Sequence, residues 1–176
     1  MEIAVLDTEV ARIPEGRVAS SLDAALAEPL IPGMETSEAV ICLNDLEGMD
    51  FLACAPSGHE LILDTDPAAG GHERGIHPKE MLLVALAGCT GMDVIAILRK
   101  KRQVVTDYRV RVAATQRADH PRVYTQIVVE HIVSGAQIDP AAVARAIELS
   151  VTRYCSVSAM LSKACPIRHQ YRIVPQ

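Results

Sequence analysis

One long helix with almost no polar face constrains this chain more than any other feature. Residues 82–102 read LLVALAGCTGMDVIAILRKKR, and Pro78 and Glu80 just before them are typical of a first helical turn. We therefore predict a helix over residues 78–102. A helix that is apolar on every side has to be buried on every side. A small domain cannot easily cover such a rod alone, so we expect a sheet on one side and a second helix, which a partner chain can supply, on the other.

The apolar part of this helix is also close to the length that crosses a membrane. Residues 81–98 are 18 residues long, and a transmembrane helix needs roughly 17–25. Asp93 inside the segment, the glycines Gly88 and Gly91, and the amphipathic strands that follow favour the core of a soluble domain. We therefore predict no membrane partner, and we expect the stripe with both glycines to let another backbone come close.

Composition narrows the class of partner. Aromatic residues make up 3% of the chain, with no Trp and one Phe, and the formal net charge is -5. Few stacking side chains and a negative charge argue against binding of nucleic acid. The basic run at residues 99–102 has a simpler explanation, because cations at the C-terminal end of a helix complement its dipole.

The cysteines form neither a zinc pattern nor a disulfide framework. They are Cys42, Cys54, Cys89, Cys155 and Cys165. The N-terminus MEIAVLDTEV has no basic region followed by an apolar run, so we expect no secretory signal. A reducing, cytoplasmic location follows as the expectation. Cys42 and Cys54 are then expected to be small buried hydrophobic residues.

Alternating and apolar segments predict an α+β protein with its helices on one face of the sheet. Three short strands are expected at AVICLN, DFLACA and ELILD, and a hairpin after the long helix at TDYRVRVAA and VYTQIVVEHIV. A second helix capped by Asp139, a third capped by Ser156 and a last strand at IRHQYRIV complete the order β-β-β-α-β-β-α-α-β. The apolar stripe of the second helix is expected at Val143, Ile147 and Val151.

The chain divides into an extension and a domain. Residues 1–37 are an N-terminal extension of unclear role, with a short strand expected at EIAVL and a short helix at SSLDAALAEPL. Residues 38–176 form the folded domain.

Two cysteines lie where a thiol can serve either chemistry or packing. Cys89 is in the middle of the long helix, and Asp93, four residues on, lies on the same face and opposes thiolate formation. A cation has to come from elsewhere, and Arg74 and Lys79 are nearest along the chain. Cys155 joins the second and third helices, where free backbone N–H groups favour a thiolate. Such a pair suits a peroxidase cycle of sulfenic acid and disulfide, although an inert buried thiol fits each position equally well.

The remaining candidate ligands favour no site. His72 and His77 flank a loop at a spacing that matches no standard metal centre. The glycines of that loop are followed by neither Lys-Ser nor Lys-Thr, so they do not form a phosphate-binding loop. We expect neither a metal nor a cofactor.

Two segments together resemble a known family. GIHPKEMLLVALAGCTGMDVIAILRKKR and SVTRYCSVSAMLSK are similar to the OsmC/Ohr family, the osmotically inducible and organic hydroperoxide resistance proteins. The resemblance extends over residues 38–174 and places an OsmC-like domain at residues 38–176. It implies an intertwined homodimer in which antiparallel sheets wrap two long central helices. It also implies a thiol peroxidase site at the dimer interface, with Cys89 as the peroxidatic and Cys155 as the resolving cysteine.

The start of the long helix departs from the family pattern. The family's peroxidases have Asn-Pro-Glu here, and that Glu pairs with an Arg that stabilises the thiolate. In this chain Lys79 follows the proline, and the carboxylate comes one residue later at Glu80, about 100° round the helix. The family's Arg position falls near Ala69, so Arg74 is the nearest substitute. Glu80 and Arg74 therefore join the two cysteines as candidate catalytic residues.

The leading hypothesis is a thiol peroxidase that reduces organic hydroperoxides through Cys89 and Cys155, with a dithiol reductant as its second partner. Lys79 or Arg74 would offset Asp93. The alternative is a non-enzymatic OsmC-like dimer that binds a small apolar or thiol-containing ligand near the interface. Lys79 at the family's Glu position favours the alternative, whereas the retained cysteine pair favours the peroxidase.

Overall fold

The apolar segment forms helix α1, Pro78–Lys100, in the computed structural model, which describes residues 39–43, 48–55 and 57–174. Its start follows the sequence prediction. Pro78 occupies the first turn, and the Glu80 carboxylate accepts a hydrogen bond from the His77 backbone N–H at 3.4 Å. A carboxylate that reaches back in this way satisfies a backbone donor at the helix start and complements the helix dipole.

The helix ends two residues earlier than predicted. Arg102 adopts the left-handed backbone conformation, with a φ of 57°. Its N–H donates to the Arg99 carbonyl at 2.9 Å, and the Gln103 N–H donates to the Leu98 carbonyl at 3.0 Å. These are the two bonds of a Schellman motif, which satisfies carbonyls left open at a helix end. Because the residue at the left-handed position is arginine instead of glycine, the sequence carried no visible stop signal.

The described residues up to Gly75 form a compact unit of their own. The three predicted strands are present as an antiparallel meander, in which β1 (Val40–Leu43) pairs with β2 (Phe51–Cys54), and β2 pairs with β3 (Glu60–Leu63). The strand predicted at EIAVL, the helix predicted at SSLDAALAEPL and the boundary at residues 37–38 lie outside the described residues.

Asp64 organises the loop that follows β3. Its carboxylate accepts hydrogen bonds from the backbone N–H groups of Arg74 at 2.9 Å, Thr65 at 2.7 Å and His72 at 3.1 Å. These bonds, that of Arg74 foremost, lower the pKa of Asp64 despite its burial. A single carboxylate therefore fixes the path of the Gly-rich loop within this unit.

The second unit, from residue 76 onward, contains a mixed sheet. β4 (Asp107–Gln116) and β5 (Tyr124–Ser134) form the predicted antiparallel hairpin, and β6 (Ile167–Val174) pairs with β5 in parallel. Helices α2 (Pro140–Leu149) and α3 (Ser156–Leu161) lie between β5 and β6 in the chain and provide the crossover that a parallel pair requires. The α+β class and the element order are confirmed. The expectation of a purely antiparallel sheet is wrong, because β6 pairs with β5 in parallel.

Two hydrophobic clusters surround the buried side of α1. One joins its C-terminal half to α2, and the other joins its N-terminal half to β5 and to the segments on either side of α3. The buried members are Val94, Leu98, Val133, Ile138, Ala142, Val143, Ala146 and Ile147 in the first, and Leu86, Ile127, Val129, Cys155 and Cys165 in the second. Gly91 lets β4 approach, because a Cβ there would lie 3.3 Å from Val110 Cγ2. Gly88, in contrast, is exposed, and a Cβ there would meet only the Met92 side chain, at 3.9 Å.

Helix α2 begins as predicted but ends differently. The Asp139 carboxylate caps it by accepting a hydrogen bond from the Ala141 N–H at 2.9 Å. The regular helix then widens into a π-helical turn at Ser150–Tyr154. The wider turn leaves Val151 with 36% exposure. The apolar stripe predicted for this helix therefore stops at Ile147, and Val151 does not belong to it.

A tyrosine and two histidines form a polar chain within the core, which the sequence analysis did not single out. The Tyr108 hydroxyl lies 2.7 Å from His131 Nδ1, and His131 Nε2 lies 3.4 Å from His169 Nδ1. His131 is fully buried on the inward face of β5, between Val129 and Val133. Burial lowers the pKa of His131 to about 4, and His169 beside it adds to this effect. Burial also lowers the pKa of His169.

Acid should therefore destabilise the fold through His131. Its ordinary pKa is 6.5 and its folded pKa about 4, so between these values the unfolded chain binds a proton that the folded chain does not. Stability is fully present above pH 6.5 and falls as the pH drops towards 4, by about 3 kcal/mol from this residue. We expect urea midpoints to follow this course. The variant His131→Gln should flatten the slope, whereas the exposed control His59→Gln should keep it; equal slopes in both variants would contradict the assignment.

Candidate active site

Two thiols and a carboxylate meet at the middle of α1. Cys89 Sγ, a carboxylate oxygen of Asp93 and Cys155 Sγ all lie within 4.8 Å of one another. Cys155 is buried, with 2% exposure, while Cys89 and Asp93 are half-buried. Both sulfurs are free thiols. The fold therefore brings together the two cysteines that the sequence analysis selected.

The local structure explains why these side chains converge. Cys89 and Asp93 are four residues apart on α1, so they share one face of the helix. Cys155 is the first residue after the π-helical turn, and its N–H donates to the Ser150 carbonyl at 2.8 Å. Single π-helical turns often occur at functional sites, because the added residue redirects the side chains that follow. Here the redirected side chain is that of Cys155.

Cys155 also caps the last helix, a role the sequence analysis gave to Ser156. The backbone of Cys155 is extended, and its Sγ accepts a hydrogen bond from the Ser158 N–H at 3.3 Å. The assignment of Ser156 was wrong by one residue. Serine is a common cap and cysteine is not, so the sequence favoured the neighbour.

Burial affects the pKa of Cys155 more strongly than its position at the start of a helix does. Removal from water, more than any other factor, raises the pKa of this thiol to about 11, and the neighbouring Cys89 and Asp93 act in the same direction. The hydrogen bond from the Ser158 N–H acts the other way but is the weaker effect. The N–H group at the start of α3 therefore favours the thiolate as expected, but burial outweighs this effect and keeps the pKa of Cys155 above its ordinary value.

A short chain of hydroxyl groups holds Asp93. The Ser150 hydroxyl donates to Asp93 Oδ2 at 3.0 Å, and it lies 3.0 Å from the Thr90 hydroxyl. Ser150 has one hydroxyl proton, so the Thr90 hydroxyl must be the donor in the second bond. Both hydroxyl groups belong to fully buried residues. The chain runs from Thr90 through Ser150 to Asp93 and fixes the carboxylate beside the two sulfurs.

Lys79 does not lie near this site within one chain. Its ammonium group contacts the side-chain oxygen of Gln116 and the Arg122 carbonyl, and it lies 5.2 Å from the centre of the Tyr124 ring. Ten residues of helix separate it from Cys89, which corresponds to about 15 Å along the axis. The expectation that Lys79 offsets Asp93 therefore fails within a single chain.

Asp93 has no ion-pair partner in the part of the chain that the structure describes. The ion pairs found there join Arg109 to Asp107, Arg111 and Arg172 to Glu130, and Arg145 to Glu148. The carboxylate therefore has a hydroxyl group as its hydrogen-bond donor there, but no cation.

Arg74 and Glu80, the other candidate catalytic residues, have structural contacts. The Arg74 backbone N–H donates to Asp64 within the first unit. Glu80 caps the start of α1 through its bond to the His77 N–H, nine residues from Cys89. A catalytic role for either residue stays a prediction.

Sequence reasoning missed Thr90 and Ser150. One signal pointed towards them: Asp93 lies in an otherwise apolar helix, and a half-buried carboxylate needs a hydrogen-bond donor. Thr90 on the same helix was a visible candidate. Ser150 was not, because its approach to Asp93 depends on the packing of α1 against the end of α2.

Comparison with known proteins identifies the family. Residues 70–170 match the family described as OsmC-like protein. The chain belongs to the OsmC-like family. It is similar to protein YhfA of Escherichia coli strain K12, with 41% identity over 129 residues that cover 73% of this chain and 93% of YhfA. The family expected from the two cysteine segments is therefore confirmed.

Solved structures share the fold. A hypothetical protein from Aquifex aeolicus VF5 is 29% identical, with a TM-score of 0.69 over 81% of this chain and 99% of its own. An organic hydroperoxide resistance protein OsmC from Legionella pneumophila has a TM-score of 0.58 over 78% of this chain and 97% of its own. At 11% identity, this second structure shows the fold alone.

Loss of the Ser150 hydroxyl should destabilise the protein more than loss of an exposed one. The variant Ser150→Ala leaves the buried Thr90 hydroxyl without its acceptor and Asp93 without its donor. This should lower the free energy of unfolding by about 1–3 kcal/mol. The exposed Ser156→Ala is the matched control and should change stability by less than ~0.5 kcal/mol. Urea unfolding measures both. Equal effects would show that the hydroxyl chain does not hold the site.

Proposed function

We propose that this protein is a thiol peroxidase that reduces organic hydroperoxides, with Cys89 as the attacking and Cys155 as the resolving cysteine. The observation that carries the proposal is the approach of the two free sulfurs to within 4.8 Å of each other and of Asp93. The chain belongs to the OsmC-like family, and the protein of the same fold from Legionella pneumophila is described as an organic hydroperoxide resistance protein.

The proposed cycle balances with one reductant. The Cys89 thiolate attacks one oxygen of the hydroperoxide, the O–O bond breaks, and the alcohol leaves with a proton while Cys89 becomes a sulfenic acid. The Cys155 thiol then attacks the sulfenic sulfur, and water leaves as the disulfide forms. A dithiol reductant in solution returns the two electrons by thiol–disulfide exchange.

The different environments of the two thiols support this division of roles. Cys89 is half-buried, so a small hydroperoxide can reach it, whereas Cys155 is almost fully enclosed. Burial raises the pKa of Cys155 to about 11, which makes it a poor first nucleophile, since the thiolate is the reactive form. Cys155 Sγ lies within 4.8 Å of Cys89 Sγ, so it is positioned to attack the sulfenic sulfur once that has formed.

Asp93 favours a second candidate function. No cation pairs with the Asp93 carboxylate beside Cys89 among the described residues, whereas reactive cysteines usually lie in electropositive surroundings. If Cys89 does not react with peroxides, the same half-buried site is suited to hold a small apolar or thiol-containing ligand in a non-enzymatic dimer.

Peroxide turnover separates the two functions. We expect wild-type protein to consume cumene hydroperoxide in a stopped-flow assay with a dithiol reductant, and to form one Cys89–Cys155 disulfide on peptide mapping. Cys89→Ser should lose turnover, and Cys155→Ser should form a sulfenic acid without a disulfide. The control Cys165→Ser removes a buried thiol of the same core cluster and should keep turnover. An inactive wild type, or a disulfide from Cys89 to Cys165, would contradict the proposal.

We also propose that the protein acts as a homodimer through α1. The helix is apolar and long enough to cross a membrane by length and composition, yet only 28% of its most apolar window is buried within the chain. The exposed side includes Leu82, Val84 and Met92, the last with 69% exposure. An exposed apolar stripe of this size is typical of an interface. Because the other side of α1 packs against β4, α2 and α3, a second copy is the cover we propose, in place of lipid.

Charge on this stripe should separate the dimer without unfolding the chain. A side chain at Gly88 meets only Met92 at 3.9 Å within one chain, so Gly88→Glu should fold as well as wild type. Sedimentation velocity should give twice the chain mass for wild type and one chain mass for this variant. Val104→Glu, a change at an exposed apolar residue outside α1, is the control and should stay dimeric. A monomeric wild type would rule out the dimer.

A cytoplasmic location is the last part of the proposal. The cysteine pattern of the sequence, which matches no disulfide framework, is its support.

A further inference from the structure

The thiol pair and Asp93 form a set of metal-binding groups as well as a redox pair. Two sulfurs and one carboxylate oxygen lie within 4.8 Å of one another. The donors come from one face of α1 and from the start of α3. Among the described residues this is the one cluster of at least three such donors.

No cation pairs with the carboxylate of this set among the described residues. Asp93 has a hydrogen bond from Ser150 but no ion pair among the described residues. A bound divalent ion would place a positive charge among these three donors, and thiols bind such an ion as thiolates.

We propose that Cys89, Asp93 and Cys155 bind a single thiophilic divalent metal ion of the Zn²⁺ class. Thiolate sulfur and carboxylate oxygen are ligands that zinc takes, and three protein ligands leave a fourth position for water or a small ligand. At ordinary zinc–ligand bond lengths, neighbouring ligand atoms lie roughly 3.5–3.8 Å apart. The described arrangement therefore needs a closing movement of at most about 1.3 Å.

Outer hydrogen bonds that orient metal ligands are already present. The Ser150 hydroxyl donates to one oxygen of Asp93, and Thr90 in turn holds Ser150. The Ser158 N–H donates to the Cys155 sulfur. Such outer partners fix the orientation of ligands and raise metal affinity. Two of the three proposed ligands are therefore supported before any ion binds.

Metal binding and disulfide formation exclude each other at this site. Binding releases two thiol protons to solvent and needs no oxidant, whereas a disulfide uses the same two sulfurs and removes them as thiolate ligands. The ion should therefore bind the reduced protein and protect it from peroxide. The proposal rests on the positions of the three side chains and holds whether or not the protein turns over hydroperoxides.

Cobalt provides a direct optical test. Reduced full-length protein, freed of metal with a chelator and kept under nitrogen, should bind one Co²⁺ per chain, with thiolate-to-cobalt charge-transfer absorption that Zn²⁺ abolishes. Cys89→Ser and Asp93→Asn should each weaken binding by at least ~10-fold, the smallest loss seen even for outer partners. Cys165→Ser, which removes a buried thiol outside the set, should bind as wild type. Circular dichroism monitors folding of each variant.

Oxidation tests the same site without a mutation. Protein with a preformed Cys89–Cys155 disulfide should show no charge-transfer absorption, and Zn²⁺ on the reduced protein should slow alkylation of Cys89 by iodoacetamide. Absence of the cobalt band in reduced wild type, wild-type affinity in Asp93→Asn, or equal binding by oxidised protein would each overturn the proposal. Peroxide turnover is measured separately in excess chelator, so that loss of that activity and loss of metal binding are distinguished.

Discussion

The need to cover α1 on every side is the constraint on which the rest of the second unit depends. β4 approaches one side closely because Gly91 has no side chain, and α2 and α3 pack on another. These contacts also position the chemistry, because Cys89 and Asp93 are part of the same helix and face the point where α2 gives way to α3. The stripe that includes Gly88 and Met92 stays open within one chain.

Polar groups inside such an apolar assembly have to be satisfied locally, and this requirement shapes the site. Asp93 needs a donor, and Ser150 supplies it with Thr90 behind it. At Cys155, a hydrogen bond and burial have opposite effects on ionisation of the thiol. One backbone N–H favours its ionisation, but enclosure with only 2% exposure disfavours it more strongly. The position of a thiol at a helix start therefore does not predict its reactivity unless its burial is known.

Local patterns predicted most of the elements, and long-range packing determined what they missed. Period-2 alternation identified the β4–β5 hairpin, and Asp139 followed by proline marked the start of α2. The parallel pairing of β6 could not be read from its own residues, because the choice of partner depends on the crossover. His131 was hidden because Ile127, Val129 and Val133 around it are typical of a buried strand. The pairing of Cys89 with Cys155 came from the resemblance to a family; spacing alone left each thiol open to a packing role.

The π-helical turn at Ser150–Tyr154 makes this part of the chain intolerant of changes in length. Each residue added to or removed from a helix rotates everything after it by about 100°. The extra residue in this turn therefore rotates the residues that follow, so that the Cys155 side chain faces α1. A chain shortened by one residue between Asp139 and Cys155 would have a more regular helix, yet its sulfur would point away from Cys89. Insertions and deletions should be rare in this segment among relatives that keep both thiols, even where substitutions are frequent.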